Sequence, residues 1–401
     1  MSADLLPETE AEAAAVIREA ASGRTTLAIL GGGTRRGLGH PVAVSRSLST
    51  ARLSGITTYT PAEMTMSARA GTPLAAIQAA LDDNRQMLAF EPIDHRGLYG
   101  TGGEPTIGGA IAVNASGPRR YTGGAARDHL LGVRFVNGAG ETIKAGGRVM
   151  KNVTGLDLAK FLCGSHGTLS LLTEVTFKVL PVPPASATVV VSGLDDAQAA
   201  AGMARAMALP CDVSGAAHLP ELVSGKVHGG ALPSGPATLL RIEGLPASVE
   251  MRARKLAAAF AGAGPVATLD REATAGLWRE IRDVAPYAED GSGRPLWRVS
   301  VAPGAGHLVV AALRLHAGVD AFYDWQGGLV WLRMEADPEA GLLRRLIREL
   351  GGGHATLVRA GDAVKATVPV FEPLAAPVAA LSVRLKQKFD PQCIFNPGRM
   401  G

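Results

Sequence analysis

The chain is poor in the residues that most often build a site. Its 401 residues include three cysteines, Cys163, Cys211 and Cys393, widely separated and without a CxxC pair. A zinc site or an iron–sulfur cluster held by this chain alone is therefore not expected, and three unpaired thiols suit a reducing compartment. Nine histidines are scattered, with no HxxH or HxxxH pair, so no metal centre and no general base can be read from spacing. Aromatics make up only 4% of the chain and the net charge is +4, with Lys and Arg dispersed. That distribution argues against nucleic-acid binding. No apolar run reaches transmembrane length. The N-terminal segment is acidic and lacks the basic-then-apolar pattern of a leader. A cytoplasmic protein is the expectation, with any membrane contact indirect. The familiar nucleotide fingerprints are missing too. There is no GK[ST], and Arg36 stands where GxGxxG would need its last glycine.

Glycine, by contrast, is abundant, at 50 residues. Clusters fall at 31–33, 102–103, 108–109, 123–124 and 146–147. Between them run short apolar, β-branched stretches, Ile111–Val113, Leu131–Val136 and Leu169–Val179, which read as strands. Glycine lets a backbone approach a ligand closely, because no Cβ intervenes. Such loops hung on strands describe a large, extended ligand held mostly by main chain. The strand Thr26–Leu30 runs straight into Gly31-Gly32-Gly33-Thr34, a row of N–H groups able to face a pyrophosphate.

Helices are expected at Pro7–Ser22, Pro73–Leu81 and Asp157–Cys163, and strands at Leu53–Tyr59, Thr65–Ala70 and Thr173–Leu180. Pro181-Val-Pro-Pro184 reads as a linker. Beyond it, strands (Ala187–Val191, Thr238–Glu243, Pro295–Val301, Gly328–Arg333, Thr356–Arg359) alternate with helices (Ala197–Ala208, Val249–Ala261, Gly306–His316, Pro338–Leu350). This predicts a second α/β or α+β domain. Val378–Phe389 is an amphipathic helix with Leu381, Leu385 and Phe389 inward, and the tail to Gly401 is expected to pack back.

GGGT after a strand, then TIGGAIAVNASGPRR, RDHLLGVRFVNGAGE and VMKNVTGLDLAKFLCGSHGTLSLLTEVTFKVLP, resembles the FAD-binding domain of the vanillyl-alcohol oxidase/p-cresol methylhydroxylase flavoproteins. The resemblance covers residues 5–184. SGPRR, GGxVMKNVTGLDLAKF and LKQKFDPQCIFNPGRMG are similar to the smaller FAD-binding subunits of bacterial glycolate oxidases. The fold it implies is α+β. An FAD-binding domain of two subdomains (1–184) would precede a smaller cap domain with an antiparallel sheet (185–365), and a helix and tail (366–401) would return to the first domain.

The resemblance also implies roles. Gly31, Gly32, Gly33, Thr34 and Arg35 would meet the pyrophosphate. Thr106, Gly108 and Gly109 would line the cofactor toward its ring end. Asn114, Ser116, Arg119 and Arg120 would approach the isoalloxazine, where a cation suits the negative charge of reduced flavin. Thr173–Thr176 would border the adenine half or the ribityl chain, and Asn396 would lie near the cofactor. Residues 31–37 hold no histidine, so the FAD is expected to be non-covalent, with His40 past the glycines. The implied activity is oxidation of glycolate or a similar 2-hydroxy acid, in a complex with a larger FAD-binding subunit and an iron–sulfur subunit. A stand-alone oxidoreductase and an electron-relay or scaffold subunit are the alternatives. Arg298 is the one second-domain cation that could clamp a carboxylate, and a structural ion pair is its plainer role.

Overall fold

A computed structural model describes residues 5–148 and 155–401. The VMKNVT portion of the motif quoted above lies outside the described residues.

The first helix, Glu10–Ser22, starts at Thr9, whose side chain accepts from the Glu12 N–H, and buries Ala13, Ala14, Ile17 and Ala20. It packs over strand Leu27–Leu30, which pairs in parallel with Arg46–Ser49. A parallel pair cannot close through a tight turn. The intervening segment therefore makes a long excursion, and the glycine loop at 31–33 lies at its start. Phe395 adds a parallel bridge beside Leu27, and Ile394 and Phe395 are fully buried under the same helix.

A five-stranded antiparallel sheet follows, in the order Ile56–Thr60, Thr65–Arg69, Leu171–Lys178, Leu130–Val136, Thr142–Gly146. The third large element is an eight-stranded antiparallel sheet. Its order is Val266–Leu269, Ala185–Ser192, Ala237–Gly244, Val213–Leu219, Val319–Asp324, Leu329–Met334, Leu296–Val301, Gly353–Arg359. Helices cover it, among them Asp196–Ala208, Pro246–Phe260 and Ala340–Glu349.

Three sequence expectations need correction. Ile111–Val113 is not a strand but the end of helix Ile107–Ala112. Thr106 caps that helix by accepting from the Gly109 N–H, and the Gly108 N–H donates to the Ala70 carbonyl. The strand expected at Leu53–Tyr59 begins only at Ile56, because Gly55, at φ +120°, turns the chain just before it. Leu381 is exposed on helix Ala376–Phe389, whereas Phe389 packs against Phe135 and Phe161. Helix Arg271–Arg282 and strands Arg46–Ser49, Val213–Leu219 and Val319–Asp324 were not legible in the sequence.

Candidate cofactor site

A trough opens where the glycine loop meets the start of helix Ile107–Ala112 and the turn Ser165–Gly167. Gly31, Gly32, Gly33, Thr34, Arg35, Thr106, Gly108 and Gly109 all line it, so the structure brings these expected residues together. The glycines serve packing between loops as much as approach to a ligand. A Cβ on Gly31 would overlap the Thr106 hydroxyl, and one on Gly32 would overlap the Glu104 carbonyl. Gly33 sits at φ +78°, a left-handed conformation that side chains resist. Among the described residues the N–H groups of Gly31, Gly32, Gly33 and Thr34 find no protein acceptor.

Cations converge on the same stretch. Arg35, Arg36 and Arg399 line it. The Arg35 guanidinium donates to His95 Nδ1 at 3.1 Å and to the Ile93 carbonyl at 3.1 Å. Burial lowers the Arg35 pKa to about 10, against a smaller raising effect from Asp94. Burial, with Arg35 beside it, pushes the His95 imidazole down to about 3, so its ring is neutral and can accept. Arg399 gives one nitrogen to the Leu38 carbonyl at 2.9 Å, and its buried Nε has no partner among the described residues. Buried Ser170 Oγ also lines the trough unpaired. Unpartnered N–H groups, a free hydroxyl and three guanidiniums form a donor set that suits a diphosphate. The residues therefore fit FAD.

Leu38, Val113 and His166 are shared with a second, inner cavity, which also takes in Asn114, Ser116, Arg120, Arg298 and His354. The two spaces adjoin at these three residues. Asn114 and Ser116 help to shape it: Asn114 Oδ1 accepts from the Arg127 N–H, and Ser116 Oγ donates to the Asn114 carbonyl. Arg119 is a correction. It turns away from both spaces and pairs with Glu243 at 2.6 Å and Glu91 at 3.2 Å. The border strand is shifted as well. Ser170, Leu171 and Leu172 line the trough, while the Thr173 hydroxyl donates to Glu10.

His40 does not reach the trough. Its ring bonds the Lys365 carbonyl and the Val370 N–H. His166 does, held at φ +53° between Ser165 and Gly167, and burial lowers its pKa to about 4. The sequence reading did not single out His166, though the GSHGT turn around it is a local signal that could have found it. Arg36 and Arg399 had no comparable signal.

Asn396 does not line the trough; it holds two of its walls together. It is 1% exposed. Its Oδ1 accepts from the Ile29 N–H at 3.0 Å, and its Nδ2 donates to the carbonyls of His166 at 3.0 Å and Gly167 at 3.2 Å. Asn396→Ala would strand these buried groups at about 1–3 kcal/mol. The expected result is a lower melting temperature and weaker FAD binding by fluorescence titration. Unchanged values for both would mean that the walls hold without the tail.

Comparison with known proteins agrees with this geometry. Residues 1–146 match the family described as FAD binding domain. Over 387 residues the chain is 35% identical to glycolate oxidase subunit GlcE of Escherichia coli K12, covering 96% of this chain and 95% of the relative. The chain belongs to the GlcE family of FAD-binding oxidoreductase subunits. A D-2-hydroxyglutarate dehydrogenase of Xanthomonas citri is 33% identical over 184 residues, covering 45% of this chain and 37% of that protein. In fold the chain is similar to p-cresol methylhydroxylase, with a TM-score of 0.71 at 14% identity, over 99% of this chain and 88% of that one. The α+β FAD-binding architecture read from the sequence is thereby established.

Among the described residues no three His, Cys, Asp or Glu side chains gather as a metal site, and no helix is long and apolar enough to cross a membrane.

Proposed function

We propose that this chain is the smaller FAD-binding subunit of a glycolate oxidase complex, oxidising glycolate or a similar 2-hydroxy acid to the 2-oxo acid. Its partners would be a larger FAD-binding subunit and an iron–sulfur subunit. The carrying observation is near full-length similarity to a GlcE subunit, combined with a trough whose donors suit a diphosphate. FAD, when bound, supplies the two-electron acceptor. The chain's own residues would hold it: N–H groups of Gly31–Thr34 and the guanidiniums of Arg35, Arg36 and Arg399 at the diphosphate, with Thr106, Gly108 and Gly109 further along. The absence of histidine from 31–37 supports non-covalent binding.

A 2-hydroxy acid also needs a base for its hydroxyl proton. His95 and His166, at about 3 and 4, are weak bases. The chain alone is therefore expected to turn over glycolate far more slowly than its complex.

The test is purification from the native host, followed by acid precipitation and a dye-linked glycolate assay. Copurification with two further subunits, yellow colour left in the acid supernatant and activity concentrated in the complex are the expected results. A chain that purifies alone and reduces dichlorophenolindophenol with glycolate at full rate would support the stand-alone reading instead.

A further inference from the structure

The inner cavity holds more positive charge than the fold explains. Arg298 was read from the sequence as a candidate carboxylate clamp, with a structural ion pair as its plainer role. Among the described residues it has neither an ion pair nor a hydrogen bond, and the same holds for the Arg120 guanidinium. Both instead lie over one indole. Their guanidinium carbons are 4.5 Å (Arg120) and 5.0 Å (Arg298) from the Trp325 ring centroid. Burial and, less strongly, Arg120 lower the Arg298 pKa to about 10, against a raising effect of Asp324. Two neighbouring, partly buried cations, without a carboxylate bonded to either among the described residues, are costly unless a counter-charge is supplied.

The indole is fixed in place. Trp325 Nε1 donates to the Gly117 carbonyl at 3.0 Å, and its backbone, at φ +50°, is held by the Asp324 carboxyl, which accepts from its N–H at 2.7 Å. Asp324 interacts electrostatically with Arg298 but offsets the pair only in part. Burial raises its pKa to about 7, and it is engaged with its own turn.

We propose that the inner cavity is an anion site for a small carboxylate of the 2-hydroxy acid class, clamped by Arg120 and Arg298, with His354 at its rim. The cavity is about 220 Å³, against roughly 30 Å³ for a liquid water, so a molecule of several heavy atoms fits. Planar guanidiniums present paired donors that match a carboxylate. The site adjoins the trough at Leu38, Val113 and His166, and the proposal rests on the functional reading above. It names Arg298, contributed by strand Leu296–Val301, as the residue through which the second sheet would meet substrate.

The experiment titrates oxalate, a small dianion with no hydrogen to lose, into the full-length FAD-loaded chain by calorimetry. Flavin content and flavin midpoint potential are measured on the same samples. Saturable oxalate binding is expected, weakened at least tenfold in Arg298→Met and in Arg120→Met, with Arg298→Lys between them and wild type. Oxalate should also protect both arginines from phenylglyoxal, read by peptide mass, which requires no variant to fold. Absence of oxalate binding, or of protection, at full FAD occupancy overturns the anion site and leaves the FAD-subunit reading standing. Variants that lower the flavin potential while oxalate affinity is unchanged would assign both arginines to the flavin, and overturn it as well. A chain that takes up no FAD defeats the functional reading itself.

Discussion

Gly32→Ala should empty the cofactor site. One added methyl would overlap the Glu104 carbonyl, which is backbone and cannot rotate aside. To make room, the 31–34 loop and the 102–109 loop must separate. The separation acts on both walls of the trough at once, because Gly103 in turn sits against the Gly32 carbonyl. The N–H groups of Gly31–Thr34 then lose the shared orientation that lets them face one diphosphate. FAD occupancy after gel filtration is expected to fall at least tenfold, equivalent to about 1.4 kcal/mol or more of binding free energy. Gly102→Ala is the control. It lies in the same loop, has no atom within 4 Å of its would-be Cβ, and is not at positive φ. It should retain wild-type FAD content. Gly33→Ala should fall between the two, since its cost of about 1–2 kcal/mol is local strain at φ +78°. Equal flavin content in Gly32→Ala and wild type, with the far-ultraviolet spectrum intact, would remove the diphosphate role from this turn.

The glycine loop was legible because its signal is local: a strand, three glycines and a hydroxyl in sequence. The short helix Ile107–Ala112 was not. Six residues are too few to show a helical period, and IGGAIA is as apolar as a buried strand. The Thr106 cap and the Gly108–Ala70 approach decide it, and the second of these is tertiary. Arg119 and Arg120 show the same limit more sharply. They are adjacent in sequence and were given one role. In the structure Arg120 reaches the indole of Trp325, while Arg119 pairs with acids 28 and 124 positions away. Neither destination leaves a mark in the local sequence. Arg298 was left open between a carboxylate clamp and a structural ion pair. A strand arginine is ordinarily paired, and only the assembled cavity shows that, among the described residues, no carboxylate is bonded to it.

Replacing Glu91 with glutamine should produce the largest loss of stability of any single isosteric change. Glu91 bridges two buried guanidiniums, with Oε1 2.9 Å from Arg241 and 3.2 Å from Arg119. It also accepts from the Arg119 N–H at 2.7 Å. Glu243 completes a quartet of two carboxylates and two guanidiniums, all with side chains no more than 15% exposed. Burial alone would raise the Glu243 carboxyl, but Arg241 and Arg119 outweigh it and hold the pKa near 2. Glu91 is lowered for the same reason. Carboxylates depressed in this way contribute their stability above about pH 4.5 and lose it as the pH falls towards 2.

Glutamine keeps the shape of Glu91 and removes its charge, leaving two buried cations with one acid between them. The expected cost is about 3–5 kcal/mol, the range for breaking a buried pair from one side. The exposed pair Arg52–Glu8, with side chains 57% and 64% exposed, is the contrast. Arg52→Ala should change stability by about 0.5 kcal/mol at most. Chemical denaturation of the FAD-loaded chains compares them.

The quartet also fixes where the second sheet sits. Arg241 and Glu243 belong to strand Ala237–Gly244, and Glu91 and Arg119 to the first domain. The segment beside Glu91 carries the Phe90 carbonyl, which accepts from the Gly117 N–H, and the Gly117 carbonyl accepts in turn from Trp325 Nε1. Loss of the Glu91 charge should therefore reach the Arg120–Trp325–Arg298 cluster through one backbone residue. Hydrogen exchange at Gly117 and on the Trp325 indole should rise in Glu91→Gln before global unfolding sets in. Glu91→Gln stability within a few tenths of a kcal/mol of wild type, with unchanged exchange at these two groups, would show that packing, and not this quartet, joins the second sheet to the cofactor domain.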